Sequence, residues 1–134
     1  MHLRWSSVGL VFVGGTLGTG ARYLISLAVP DPLGMPLPIF VINIVGAFLL
    51  GALLTALARS GPDRGIRRAL RLFAGTGMLG GFTTYSTFAV GADGLFAADR
   101  PWVGVLYAVA SVVVGAAASL AGVALGSGRR EAAR

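Results

Sequence analysis

The 134-residue chain is 55% hydrophobic and only 12% charged, where a soluble domain carries about 25% charged residues, and its mean hydropathy is +0.81. It has no cysteine, which excludes a disulfide framework, a thiol nucleophile and a thiolate metal site, and its single histidine, His2, cannot build a catalytic pair or a metal cluster within the apolar runs. The net charge of +6 comes from arginines that flank those runs. Charge placed there reads as membrane topology rather than as a nucleic-acid surface.

About 20 apolar residues cross a bilayer as a helix, and four stretches meet that length. The first runs over 7–27, with Arg22 near its end, before Pro30, Asp31, Pro32 and Gly34 break the chain. The second covers 39–58, with Asn43 and Thr55 as its polar side chains. A loop over 59–71 carries five arginines with Gly61 and Pro62. The third stretch is 72–96; Asp99, Arg100 and Pro101 separate it from the fourth, 102–125, and a polar tail closes the chain. The expected fold is all-α: a single four-helix transmembrane domain over 1–134. A cleaved signal peptide is the competing reading of the first stretch. No small-residue cleavage motif follows a short apolar core, so an uncleaved span is expected.

With loops this short, function falls to polar groups inside the spans, where they are costly and normally face protein or water. Gly18–Tyr23 places Arg22 beside an aromatic residue. Arg22 is either a snorkelling anchor or a vestibule cation that draws in anions. Asn43, with Ala47 and Gly51 on the same face, is either interhelical glue or an amide donor to an anion. The third cluster, over 75–88, holds four glycines, four threonines and a serine. Glycines weaken a helix by about 1 kcal/mol each relative to alanine, and hydroxyls re-satisfy backbone freed by a break. A discontinuous helix is expected, with a plain small-residue packing face as the alternative. In the fourth span, Tyr107, Ser111, Gly115 and Ser119 form one stripe at i+4 steps. The two glycine- or serine-bearing positions at its far end fit a packing seam, whereas the Tyr107 and Ser111 hydroxyls need partners inside lipid.

Three blocks, Gly14-Gly15 through Arg22-Tyr23, Asn43 to Phe48, and Gly80 to Phe88, together resemble the small bacterial fluoride channels of the CrcB or Fluc family. The resemblance implies an antiparallel dimer with two fluoride pathways and passive F− efflux across the inner (plasma) membrane. It implies a structural, untransported Na+ at the dimer centre, on the main-chain oxygens of Gly80 and Thr83. It also implies ring edges from Tyr85 and Phe88 along the fluoride path and an amide donor at Asn43. Hydroxyls of Thr84, Ser86, Tyr107 and Ser111 join that pathway, and Arg22 sits at its vestibule. Relatives commonly carry Phe at Tyr85 and Thr at Ile39, so each departure changes one lining group. The chemistry agrees, since a pore must replace fluoride's tightly held hydration shell with donors and with the positive edges of aromatic rings.

Rival readings are weaker. A small multidrug exporter needs a membrane-embedded carboxylate, and the first two spans contain none. An enzyme needs a base beside its nucleophile, and Ser86 has no His or Lys partner in the spans. A non-conducting structural subunit does not account for so many mid-span hydroxyls. The arginines add a topological expectation. Arg4, Arg59, Arg64, Arg67, Arg68, Arg71, Arg129, Arg130 and Arg134 share one side, against Arg22 and Arg100 on the other. That bias places both termini in the cytoplasm. An antiparallel partner is then expected to be a separately encoded homologue, with an identical chain inserted the other way as the alternative, because the positive-inside rule is a preference and not a veto.

Overall fold

A computed structural model describes residues 4–31 and 34–128, so His2, Pro32 and the tail arginines Arg129, Arg130 and Arg134 lie outside the described residues. The protein is all-helical there. Helix α1 is Trp5–Ala28 and stops where Val29 turns extended, at φ −98° and ψ 116°. Val29 precedes Pro30, whose ring disfavours helical geometry in the preceding residue. Helix α2, Leu37–Ser60, has proline in its first turn, where a missing N–H costs nothing. It ends at Gly61, whose φ of 131° suits a residue without a Cβ.

The third helix, α3, begins at Gly65, earlier than its apolar run. It passes from an α-helical turn (Gly65–Leu70) through a looser π-helical stretch (Arg71–Leu79) to a last turn at Gly80–Phe82. The arginine-rich loop over 59–71 therefore shrinks to a tight turn. Asp63 secures that turn by accepting from Arg71 Nε at 3.0 Å and Nη2 at 2.7 Å, a two-point pairing that fixes orientation as well as charge. After a break over 83–85 the same span resumes as α4, Ser86–Ala97. Helix α5, Pro101–Gly126, starts on its own proline. Helices α1, α2 and α5 are long and apolar enough to cross a membrane. With the bent α3–α4 span they make an integral membrane protein of four helices.

Two seams hold the bundle, both built on glycine. Along α2 and α5, a methyl group on Gly51 would run into the Ser119 carbonyl, and one on Gly122 into that of Phe48. Along α1 and α3, Gly14 faces the Phe73 carbonyl and Gly18 that of Met78. Lipid offers no hydrophobic drive for helices to associate, so such close backbone approach supplies the packing energy. Large apolar side chains point outward instead: Phe12, Leu24, Val90 and Leu120 are all exposed. Among the described residues, the buried large hydrophobics are Ile39, Ile42, Leu79, Leu95 and Tyr107.

Candidate ion pathway

The break lies just beyond the glycine pair. Gly80 and Gly81 remain helical, and Thr83 is the first extended residue, at φ −79° and ψ 154°. Glycine weakness is therefore not what interrupts the span; rival acceptors for the backbone amides are. Thr84 N–H donates to Asn43 Oδ1 at 2.8 Å, and Thr87 N–H donates to Thr84 Oγ1 at 3.2 Å. In a continuous helix these two amides would serve the carbonyls of Gly80 and Thr83. Both carbonyls thus lose their helical donors, and they are the two oxygens on which the family resemblance puts a cation.

Asn43 acts on the break from both ends of its amide. Besides accepting from Thr84 N–H, it donates through Nδ2 to the Thr84 carbonyl at 3.0 Å. The side chain thereby replaces a neighbouring peptide and fixes which way its own amide points, leaving one N–H of Nδ2 uncommitted. A second clamp comes from α1. Arg22 Nε donates to the Gly81 carbonyl at 3.1 Å, and Thr19 Oγ1 donates to the same oxygen at 3.3 Å. Arg22 is half-buried, so its guanidinium is a structural tie as well as a charge.

A cavity of ≈ 370 Å³ opens beside the break, and Asn43, Thr83, Thr84, Tyr85, Phe88 and Ser111 are among its lining residues. Its described lining includes no carboxylate. The rings of Tyr85, Phe88 and Tyr107 form a row, with centroids 6.0 Å apart for the first pair and 5.4 Å for the second. Tyr85 is the outermost and is 81% exposed. Tyr107, 3% exposed, is the innermost. Its hydroxyl and that of Ser111 are buried without a hydrogen-bond partner among the described residues, a condition that costs about 1–3 kcal/mol per group.

Arg22 lines a separate concavity of ≈ 410 Å³ with Thr19, Asp31, Ile39 and Thr87. Thr84 belongs to one cavity and Thr87 to the other, and their hydroxyls are 3.2 Å apart. Ser86, exposed, lies 3.3 Å from Thr84 Oγ1. The fold thus gathers Asn43, Thr83, Thr84, Tyr85, Phe88 and Ser111 around one cavity, with Tyr107 against Phe88. It places Arg22 across the threonine pair and leaves Gly80 on the open face of α3. Thr19 and Thr87 were missed as site residues. Thr19 had a readable signal, three residues before Arg22 and so on the same helix face.

A family model described as CrcB-like protein, Camphor Resistance (CrcB), matches residues 9–123. The chain is 58% identical over 127 residues to a protein of Leifsonia xyli named fluoride-specific ion channel FluC 2, covering 95% of this chain and 88% of that one. It is 50% identical over 110 residues to FluC 1 of Cutibacterium acnes, covering 81% and 77%. Against FluC of Agrobacterium fabrum it is 41% identical over 123 residues, covering 90% and 95%. Matches of this identity and coverage establish that the chain belongs to the CrcB-like family, whose members are ion channels and not enzymes.

Proposed function

We propose that this protein is a fluoride-selective channel that lowers cytoplasmic fluoride by passive efflux. The observation that carries the reading is the pair of buried hydroxyls without a partner among the described residues, Ser111 in the lining of the cavity at the break, which has no described carboxylate, and Tyr107 with its ring against Phe88 of that lining. A permeating anion supplies the acceptor those hydroxyls lack, and the spare N–H of Asn43 adds a third donor. Phe88, between Tyr85 and Tyr107, presents a ring edge of positive quadrupole density to the same ion. Fluoride sheds water only to a site with several donors already in place, so preorganisation by the Thr84 clamp matters as much as the donors. HF enters cells neutral and ionises inside, which gives such a path its use. A multidrug exporter fits poorly, because no carboxylate is among the described residues lining the cavity to trade a proton for a cation.

A structural Na+ belongs to the same proposal. The Gly80 and Thr83 carbonyls are hard oxygen donors freed by the break, suited to a hard cation of modest charge. Two carbonyls do not complete a coordination shell, and a second, antiparallel subunit would bring two more. The described residues hold no cluster of three His, Cys, Asp or Glu that competes for such an ion. The arginine bias argues for inner-membrane insertion with both termini cytoplasmic, and hence for a homologous rather than identical partner.

Tyr107→Phe combined with Ser111→Ala removes both orphan hydroxyls without altering shape. In liposomes it should cut fluoride flux by at least tenfold in folded protein; undiminished flux would remove these groups from the path. C-terminal reporter fusions read the topology, and signal from both sides of the membrane would favour an identical partner. Long exchange of Na+ for a large organic cation on both sides should silence the channel if the ion is structural.

A further inference from the structure

At the end of the bundle where α1 and α3 begin, a concavity of ≈ 200 Å³ is lined by Arg4, just before α1, by Ser6, Ser7 and Leu10 of α1, and by Gly65, Arg68 and Leu72 of the third span. Neither the Arg4 nor the Arg68 guanidinium forms a hydrogen bond or salt bridge with a described residue, though Arg68 lies near enough to Asp63 to act on its charge. The nearby carboxylate, Asp63, is already held in two-point contact by Arg71. The hydroxyls of Ser6 and Ser7 likewise have no described partner. Below this polar rim the lining turns apolar, with Leu10 one turn further along α1 and Leu72 one turn beyond Arg68. Trp5, 84% exposed on the next position of α1, is the kind of side chain that settles at the headgroup level.

We propose that this concavity holds the phosphate headgroup of an anionic phospholipid. Two guanidiniums from different helices face one small volume, and serine hydroxyls reach the remaining phosphate oxygens. The leucines receive the start of the acyl chains. A free phosphate uses the rim alone, whereas a lipid uses the rim and the apolar floor together, so the floor favours the lipid. Basic pockets between membrane helices recognise anionic headgroups by this combination. The site bridges the first turn of α1 to the start of α3, and a lipid seated there would tie the two helices whose far ends meet at the Arg22–Gly81 clamp.

Native mass spectrometry of the purified protein with phosphatidylglycerol or phosphatidylcholine tests this. One phosphatidylglycerol per chain should be retained in preference to phosphatidylcholine. Arg4→Gln with Arg68→Gln should weaken retention about 30-fold, at roughly 1 kcal/mol per arginine. Arg64→Gln with Arg67→Gln removes equal charge from the same end but outside the concavity, and should leave retention intact. If the double variant fails to fold, Arg68→Gln alone should still give about a fivefold loss. Equal loss in the Arg64/Arg67 control, no preference for phosphatidylglycerol, or full displacement of the lipid by millimolar inorganic phosphate would each overturn the proposal. None of these readouts depends on fluoride conduction.

Discussion

The α2–α5 seam and the break in the third span answer the same problem in opposite ways. Both must leave no polar backbone unsatisfied in lipid. In the seam the helices stay whole, and glycines at 51, 122 and 126 let one backbone press on the next. At the break the helix is given up, and side chains of Asn43, Thr19 and Arg22 take over the freed peptide groups. Glycine serves close approach in both regions, since a methyl group on Gly81 would run into the Gly15 carbonyl and one on Gly46 into the Thr83 side chain, whereas one on Gly80 would meet nothing within 4 Å. A membrane protein's polar site is thus made by what captures the backbone, not by what weakens the helix.

The contrast is sharpest where a glycine seam is overfilled, as in the one between α1 and α3. Gly18→Val drives a branched side chain into the Met78 carbonyl, at more than the usual 1–3 kcal/mol of overpacking because backbone cannot step aside. Little monodisperse protein should survive extraction and size-exclusion chromatography. Gly20→Ala on the same helix meets nothing within 4 Å and should express as well as the parent, with up to about 1 kcal/mol of gained helix propensity.

Asn43→Ala comes next. It strands the Thr84 N–H and carbonyl together, at about 1–3 kcal/mol for each group left unsatisfied. Hydrogen exchange at the amides of 84–87 should rise, and fluoride flux should fall by at least a hundredfold. Asn43→Asp keeps the acceptor for Thr84 N–H but loses the donor and adds negative charge. It should protect those amides better than Asn43→Ala while conducting no better, which separates support of the break from donation to the anion.

Thr19→Val tests a lesser tie. It removes one of two donors to the Gly81 carbonyl and leaves Arg22 in place, so it should cost about 0.5–1.5 kcal/mol and only a few-fold in flux. Thermal unfolding in detergent and liposome efflux would measure the two. The smallest effect lies outside the membrane. The hydrogen bond from Arg71 holds the Asp63 carboxyl below its ordinary value. Its folded pKa is depressed, so its stabilising contribution is present above the ordinary carboxylate pKa of about 3.9 and is lost as pH falls through the lower folded value. The gap in melting temperature between the parent and Asp63→Asn should therefore narrow below about pH 4; a gap unchanged down to pH 2 would remove the pair from the stability of the turn.

How far the sequence could be read follows from the same contrast. Four apolar runs bounded by proline and arginine announce four helices, because a bilayer's thickness sets one length for all of them. The start of α3 at Gly65 was hidden, since charged residues at a membrane surface look alike in a helix or a loop. The gathering of Asn43, Tyr85, Phe88 and Ser111 was legible only through the resemblance, as their spacing says nothing of which helices pack together. Two roles were only half legible. Asn43 reads equally as interhelical glue or as a free donor until its bonds to Thr84 are seen, and Arg22 as a snorkelling anchor or a vestibule charge until its Nε is found on Gly81. Each depends on where a backbone atom on another span comes to rest, which no local pattern encodes.

The central claim is that fluoride crosses beside the break, past the ring of Phe88 and the donors around it. Its most direct test is efflux of F− and of Cl− from liposomes carrying the purified channel, with its partner subunit if one is required, for the parent and for Phe88→Ile. The account predicts rapid F− efflux without Cl− from the parent, and none from a folded Phe88→Ile protein. Chloride keeping pace with fluoride, or fluoride passing Phe88→Ile at the parental rate, would contradict it.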